Sequence, residues 1–177
     1  MSLVSPVFHR MICGHFKERS SKRLELENVD QAEFAKLLEL SCGKTVSVGD
    51  LRDLMSLASL ADLWQVLEVR DELEKEIVRR LTFGNCAELL SDALTMGLPA
   101  VASSSRNLAL QNFCDFSQTV GFMSLKEDVL ASLLQDDRLV AGSEEEIFET
   151  LVRWMKGGGE GLRGLELLDK VDVLILH

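Results

Sequence analysis

The chain has 177 residues, 46% hydrophobic and 27% charged, which is enough to bury the core of one or two domains and unlike the composition of a disordered segment. Asp and Glu number 29 against 19 Lys and Arg, so the net charge disfavours nucleic acid as a partner. The N-terminus lacks the pattern of a signal peptide, and no apolar run approaches a membrane span. We therefore expect a cytosolic or nuclear protein with no membrane partner.

The first thirty residues predict a short helix, a loop and a strand. Ser5 and Pro6 are typical of an N-cap and a first helical residue, and Gly14 should end that helix. Residues 15–22 are polar except for Phe16, which predicts a surface loop. Residues 23–27 alternate strictly between charged and apolar side chains, the pattern of a half-buried strand.

Helical spacing dominates the middle of the chain. Asp30 and Glu33 are spaced as a capping box before a helix that Gly43 should end, and residues 45–47 favour a short strand. Apolar spacing then predicts helices over 51–63 and 69–81, and we expect the charged face of the second to lie in water.

The later half predicts further capped helices. Asn85 with Glu88 and Ser124 with Glu127 have capping-box spacing, and Pro99 should open a long helix that reaches Phe116. The strongest cap is Ser143 with Glu146. On the helix after Ser143 we expect a buried apolar face, and its members are Ile147, Phe148, Leu151, Trp154 and Met155. Glycines 157–159 should break this helix, and residues 162–177 suit one more helix and a short extended end.

Several segments taken in order resemble a known pair of domains. Residues 5–11, 16–18, 24–29 and 34–38 resemble the middle of a BTB domain, and residues 60–81 resemble its closing helices. Three later segments are similar to landmarks of a BACK domain, namely Asn85–Cys86, Asn112–Phe113 and the helix after Ser143. The resemblance implies a mainly α (α+β) chain, with a partial BTB/POZ fold and a small residual sheet over 1–81 and an α-helical BACK bundle over 82–177.

Two parts of the family pattern have no counterpart in this sequence. The helix and strand hairpin that open a complete BTB domain are missing before Ser5, and so are the Kelch repeats that commonly follow a BACK domain. In the family the opening segment supplies most of the dimer interface. Whether the chain forms a homodimer is therefore an open question. A truncated product without function is a further alternative.

The resemblance implies an adaptor role and no enzymatic activity. Many BTB and BACK proteins bind a cullin scaffold of the third class and bring a substrate protein to a ubiquitin ligase. In the family, a hydrophobic residue and a Glu two positions later, in the loop after the first helix, contact the cullin; the matching residues are Phe16, Lys17 and Glu18. An aromatic anchor and a carboxylate acceptor suit such a contact, with Lys17 facing solvent. The substrate is not identified.

The residues also allow three alternatives to a cullin-binding adaptor. Phe16 could fold back over Met11 and Leu24, which would leave Glu18 a solvated charge, and the chain could be a scaffold that binds no cullin. An unrelated enzyme would rest only on the proximity of Cys13 and His15.

Cofactor and metal sites find little support in the sequence. The four cysteines lack C-x-x-C spacing and should be reduced thiols, and His9, Cys13 and His15 fall short of the four ligands of structural zinc. The glycines at 157–159 are not followed by the Lys and Ser or Thr of a phosphate-binding loop. We expect no cofactor.

Overall fold

The computed structural model describes residues 5–13, 29–44 and 49–157 of the chain, and within these ranges every regular element is a helix. The elements are α1 (Pro6–Cys13), α2 (Gln31–Ser41), α3 (Leu51–Leu63), α4 (Leu67–Arg79), α5 (Phe83–Met96), α6 (Pro99–Gln111), α7 (Phe113–Ser117), a 3₁₀ helix (Val120–Ser124), α8 (Glu127–Leu134) and α9 (Glu144–Lys156). The predicted mainly helical class is confirmed. Both predicted strands, residues 23–27 and 45–47, lie outside the described residues.

Side-chain caps begin three of the helices where the sequence predicts a start. The Asp30 carboxylate accepts two backbone N–H groups of the first turn of α2, each at 2.9 Å. Asp50 accepts one at the start of α3, also at 2.9 Å, and the Ser143 hydroxyl accepts the N–H of Glu146 at 3.3 Å. Each cap satisfies donors that the first turn of a helix leaves without an intrahelical acceptor.

Two predicted caps were wrong because a neighbouring residue begins the helix. Helix α5 starts at Phe83, and the Asn85 side chain accepts the backbone N–H of Thr82 at 2.7 Å. Asn85 is therefore the third helical residue, which reaches back as in a capping box, and it is not the N-cap. The Ser124 hydroxyl donates to the carbonyl of Gly121 at 2.8 Å and closes the 3₁₀ helix, so that α8 begins after Lys126.

The long helix predicted from Pro99 to Phe116 is interrupted at Asn112. The backbone of Asn112 leaves the helical region, with φ −134° and ψ 47°, and α7 starts at the next residue. The break lets Phe113 and Phe116 both meet the ring of Phe122 edge to face, at centroid distances of 6.0 and 5.5 Å. Such aromatic pairs add specificity beyond simple burial, and local spacing does not reveal them.

The chain divides into two compact units. The first comprises Met1–Arg80 with Met96–Ala100, and the second comprises Leu81–Thr95 with Val101–His177. In the first unit, α3 packs against α4, and α2 contacts both. Its core contains fully or almost fully buried aliphatic side chains from these three helices, including Leu37, Leu54, Leu57, Leu73 and Ile77.

The second unit has a hydrophobic core of its own, drawn from α5 to α9. Apolar side chains buried in it include Leu90, Leu110, Phe122, Leu130, Leu133, Leu151 and Trp154. The indole N–H of Trp154 donates to the carbonyl of Leu125 at 3.2 Å, so this large ring is buried without an unsatisfied polar atom. Trp154 is thus a core residue, as predicted.

Candidate protein-interaction surfaces

The helix that precedes the predicted cullin-binding residues is fastened to the first unit. Ser5 is buried, its hydroxyl donates to the carbonyl of Trp64 at 2.5 Å, and its own carbonyl accepts the N–H of His9 at 3.0 Å. The ring of Trp64 meets Phe34 edge to face at 5.4 Å. The residue that precedes helix α1 is therefore held in place by its hydrogen bond to Trp64. Phe16, Lys17 and Glu18 themselves lie outside the described residues.

Two leucines make an exposed apolar feature at the turn between α3 and α4. Leu63 and Leu67 lie on either side of Gln65 and are 69% and 48% exposed. Gln65 adopts a positive φ of 53°, and the N–H of Val66 donates to the carbonyl of Ala61 at 2.8 Å. The turn is therefore tightly hydrogen-bonded, while the leucines beside it remain in contact with solvent.

A carboxylate in the first unit contradicts the prediction that the charged face of α4 lies in water. Glu74 is 1% exposed, and its side chain accepts the N–H of Ala100 at 2.7 Å, in the first turn of α6. The Arg70 guanidinium lies 3.5 Å from the same carboxylate. A negative charge at a helix N-terminus is favoured by the helix dipole and by the unpaired N–H groups. Sequence reasoning missed this residue, although it directly follows the buried Leu73.

The second unit presents a cleft between α7 and α9, with a volume of about 340 Å³. Arg153 crosses it, donating to the Gln118 side chain at 2.6 Å and to the Ser117 carbonyl at 2.8 Å. At the other end, the Cys114 thiol donates to the Glu146 carboxylate at 3.2 Å. Arg153 and Glu146 of α9 thus bind polar groups of α7 and of the residue after it.

Next to the cleft, α9 carries an apolar groove that contradicts another prediction. Phe148 was expected in the core and is instead 53% exposed. Together with Val152 it forms a groove of about 360 Å³, bordered by Glu149, Arg153 and Lys156. The helical spacing placed Phe148 beside Ile147 and Leu151 at the edge of the apolar stripe, and no described residue outside α9 lines this side of the helix.

Comparison of the sequence with known proteins finds two domain models that match successive parts of the chain. The BTB/POZ domain model matches residues 1–81, and the model named BACK, for BTB And C-terminal Kelch, matches residues 86–171. The chain carries matches to a BTB/POZ domain and, after it, a BACK domain.

The BTB–BACK chain is homologous to Kelch-like proteins. It is 28% identical to human Kelch-like protein 24, covering 100% of this chain and 30% of that protein. It is 26% identical to rat Kelch-like protein 41, covering 88% of this chain and 26% of the relative, and 23% identical to Kelch-like protein 40 of Xenopus tropicalis, covering 87% and 25%. The chain thus spans less than a third of these relatives.

Three cysteines of the described part of the chain form no disulfide bond. Cys42, Cys86 and Cys114 are free, and in ranges 5–13, 29–44 and 49–157 no three or more His, Cys, Asp or Glu side chains are grouped to hold a metal ion. Burial raises the pKa of the Cys86 thiol to about 11, which leaves it protonated at neutral pH. His15, the proposed neighbour of Cys13, lies outside the described residues.

The helices of the described part include none that is both long enough and apolar enough to cross a membrane.

Proposed function

We propose that this BTB–BACK chain is an adaptor that binds a cullin scaffold of the third class and brings a substrate protein to a ubiquitin ligase. The observation that carries the proposal is the ordered match of both domain models, over residues 1–81 and 86–171, together with homology to Kelch-like proteins across the chain. We also propose residues 1–81 and 82–177 as the two domains.

The proposed cullin contact consists of Phe16, Lys17 and Glu18. A phenyl ring that enters an apolar pocket of the partner supplies most of the binding free energy, and a carboxylate two residues later accepts charge-assisted hydrogen bonds. Support comes from α1, since its first turn is held by the buried Ser5 and its contact with Trp64.

A binding measurement with the isolated N-terminal domain of the cullin tests this contact. We expect the double variant Phe16→Ala, Glu18→Ala to bind at least roughly 30-fold more weakly than the wild type, the effect of losing one interface hot spot. Lys17→Ala is the matched control within the same loop, and it should retain wild-type affinity. Equal binding by the wild type and the double variant would remove the proposed contact.

A cullin-independent scaffold is the alternative outcome. Affinity purification of the wild-type chain from cells, followed by mass spectrometry, separates the two functions. Cullin and other ligase components among the captured proteins support the adaptor. Reproducible partners with no ligase component among them support the scaffold.

A further inference from the structure

The cleft between α7 and α9 has an acidic end formed by Glu146 and Glu149, two residues of α9 that line it. They are three positions apart, so their backbones differ by only about 4.5 Å along the helix. Glu146 accepts the Cys114 thiol at 3.2 Å, whereas no described residue forms a hydrogen bond or an ion pair with the Glu149 carboxylate. Two carboxylates at this spacing repel each other, and a cation bound between them would relieve the repulsion.

A buried hydroxyl group adjoins these carboxylates. Thr150 also lines the cleft, one helical turn after Glu146, and is only 6% exposed. Its hydroxyl forms no hydrogen bond with any described residue. A buried hydroxyl without a partner is unfavourable, and a ligand that donates to it would remove this penalty. The acidic end of the cleft therefore offers three adjacent acceptors, on Glu146, Glu149 and Thr150.

Arg153 is the basic residue among those that line the cleft, and its contacts lie at the other end. It is seven positions after Glu146, about 10 Å further along α9. Its guanidinium donates to the Gln118 side chain at 2.6 Å and to the Ser117 carbonyl at 2.8 Å. Within the described part of the chain, no other basic residue lines the cleft, so the acidic end has no cation of its own there.

We propose that the cleft binds an arginine side chain from an extended segment of a partner protein. A guanidinium group has five N–H donors in a planar fork, which suits acceptors that lie side by side. It would donate to the two carboxylates and to the Thr150 hydroxyl. Its aliphatic stem would pack on Phe113 and Ile147, which line the same cleft. The net charge of −10 on the chain also attracts basic segments over a longer range.

The neighbouring surface favours a peptide over free arginine as the ligand. The apolar groove of Phe148 and Val152 shares Glu149 and Arg153 with the cleft, so the two depressions are adjacent on α9. In an extended segment, side chains on the same side recur about every 7 Å, at every second residue. A segment that carries an apolar residue two positions from the arginine can therefore use both depressions.

Calorimetric titration of the full chain with a capped heptapeptide, Ala-Leu-Ala-Arg-Ala-Leu-Ala, tests the site. We expect this peptide to bind at least roughly tenfold more tightly than its citrulline twin, which has the same shape and no charge. The double variant Glu146→Gln, Glu149→Gln should lose this preference. Glu145→Gln is the matched control, since Glu145 is exposed on α9 and does not line the cleft, and it should bind as the wild type does.

The Thr150→Val variant removes the hydroxyl and keeps the shape of the side chain, and it should weaken binding of the arginine peptide at least roughly threefold. Equal affinities of the arginine and citrulline peptides for the wild type, or no measurable binding of either, overturn the proposal without recourse to any variant. Unchanged binding by the Glu146→Gln, Glu149→Gln variant overturns it as well. Capped arginine that binds as tightly as the heptapeptide would assign the cleft to a small molecule and overturn the docking of a protein segment.

Discussion

Ser105 buries a hydroxyl in α6 for which the described part of the chain offers no hydrogen-bond partner. Its carbonyl is occupied, accepting the Cys86 thiol at 3.2 Å, but this does not satisfy the side chain. A buried hydroxyl without a partner costs about 1–3 kcal/mol of desolvation. We therefore expect a smaller, apolar side chain at position 105 to raise the free energy of unfolding.

We expect Ser105→Ala to raise the free energy of unfolding by about 1 kcal/mol more than Ser103→Ala does. Ser103 is exposed on the same helix, so its replacement gains only the higher helix propensity of alanine, up to about 0.5 kcal/mol. Urea denaturation of both variants measures the difference. Equal effects would show that the Ser105 hydroxyl is satisfied in solution.

The buried carboxylate of Glu74 should contribute to the stability of the fold through its contacts with Ala100 and Arg70. Its carboxylate holds the first turn of α6 through Ala100 and lies beside Arg70. Glu74→Ala should lower the free energy of unfolding by about 1.5–3 kcal/mol, because a charge-assisted buried hydrogen bond is lost. Glu72→Ala is the control: its ion pair with Lys75 is exposed, so it should cost less than about 0.5 kcal/mol. Similar losses in the two variants would contradict this assignment.

At the scale of elements, a cluster of two arginines and one aspartate joins the segment after α8 to helix α6. Asp136 accepts from Arg138 at 2.9 Å and from Arg106 of α6 at 3.0 Å, and Arg106 also donates to the Ser132 hydroxyl at 3.0 Å. The Arg138 guanidinium, followed by that of Arg106, lowers the pKa of Asp136 well below its ordinary value of 3.8. The carboxylate therefore stabilises the fold above that value.

The Asp136→Asn variant should melt at a lower temperature than the wild type at pH 7, and the gap should narrow below about pH 4. The sign follows from the lowered pKa: below about pH 4 the unfolded wild type takes up a proton that the folded Asp136 does not, so the stabilisation that the variant lacks becomes smaller. Thermal melts at pH 7 and pH 3 measure it, with Asp137→Asn as the exposed neighbouring control. A gap that stays constant with pH would rule out an ionic contribution.

At the scale of the whole molecule, each unit has its own hydrophobic core. We therefore expect a core substitution in one unit to destabilise that unit and to leave the stability of the other unchanged. Leu133→Ala in the second unit should cost about 2–5 kcal/mol there, while amides of α3 and α4 keep their wild-type hydrogen-exchange protection. Leu54→Ala should have the reciprocal effect. Loss of protection throughout both units in either variant would show that they unfold as one.

The sequence by itself determined the helical class, the family and most helix starts and ends. These are local properties: Asp30 and Ser143 cap the turn that follows them, and Gly43 ends a helix at φ +75°, a value that glycine adopts without strain. Such features need no knowledge of distant residues. The caps at Asn85 and Ser124 were misassigned because several nearby polar residues compete for the same role.

Only the tertiary structure decided which sides of the helices are covered. Glu74 is buried because the start of α6, 26 residues away, supplies an N–H group to its carboxylate. Phe148 is exposed although it lies beside the buried stripe of α9. A helical period specifies which residues share a side, but burial depends on whether another segment packs there, and that contact joins residues far apart in the chain.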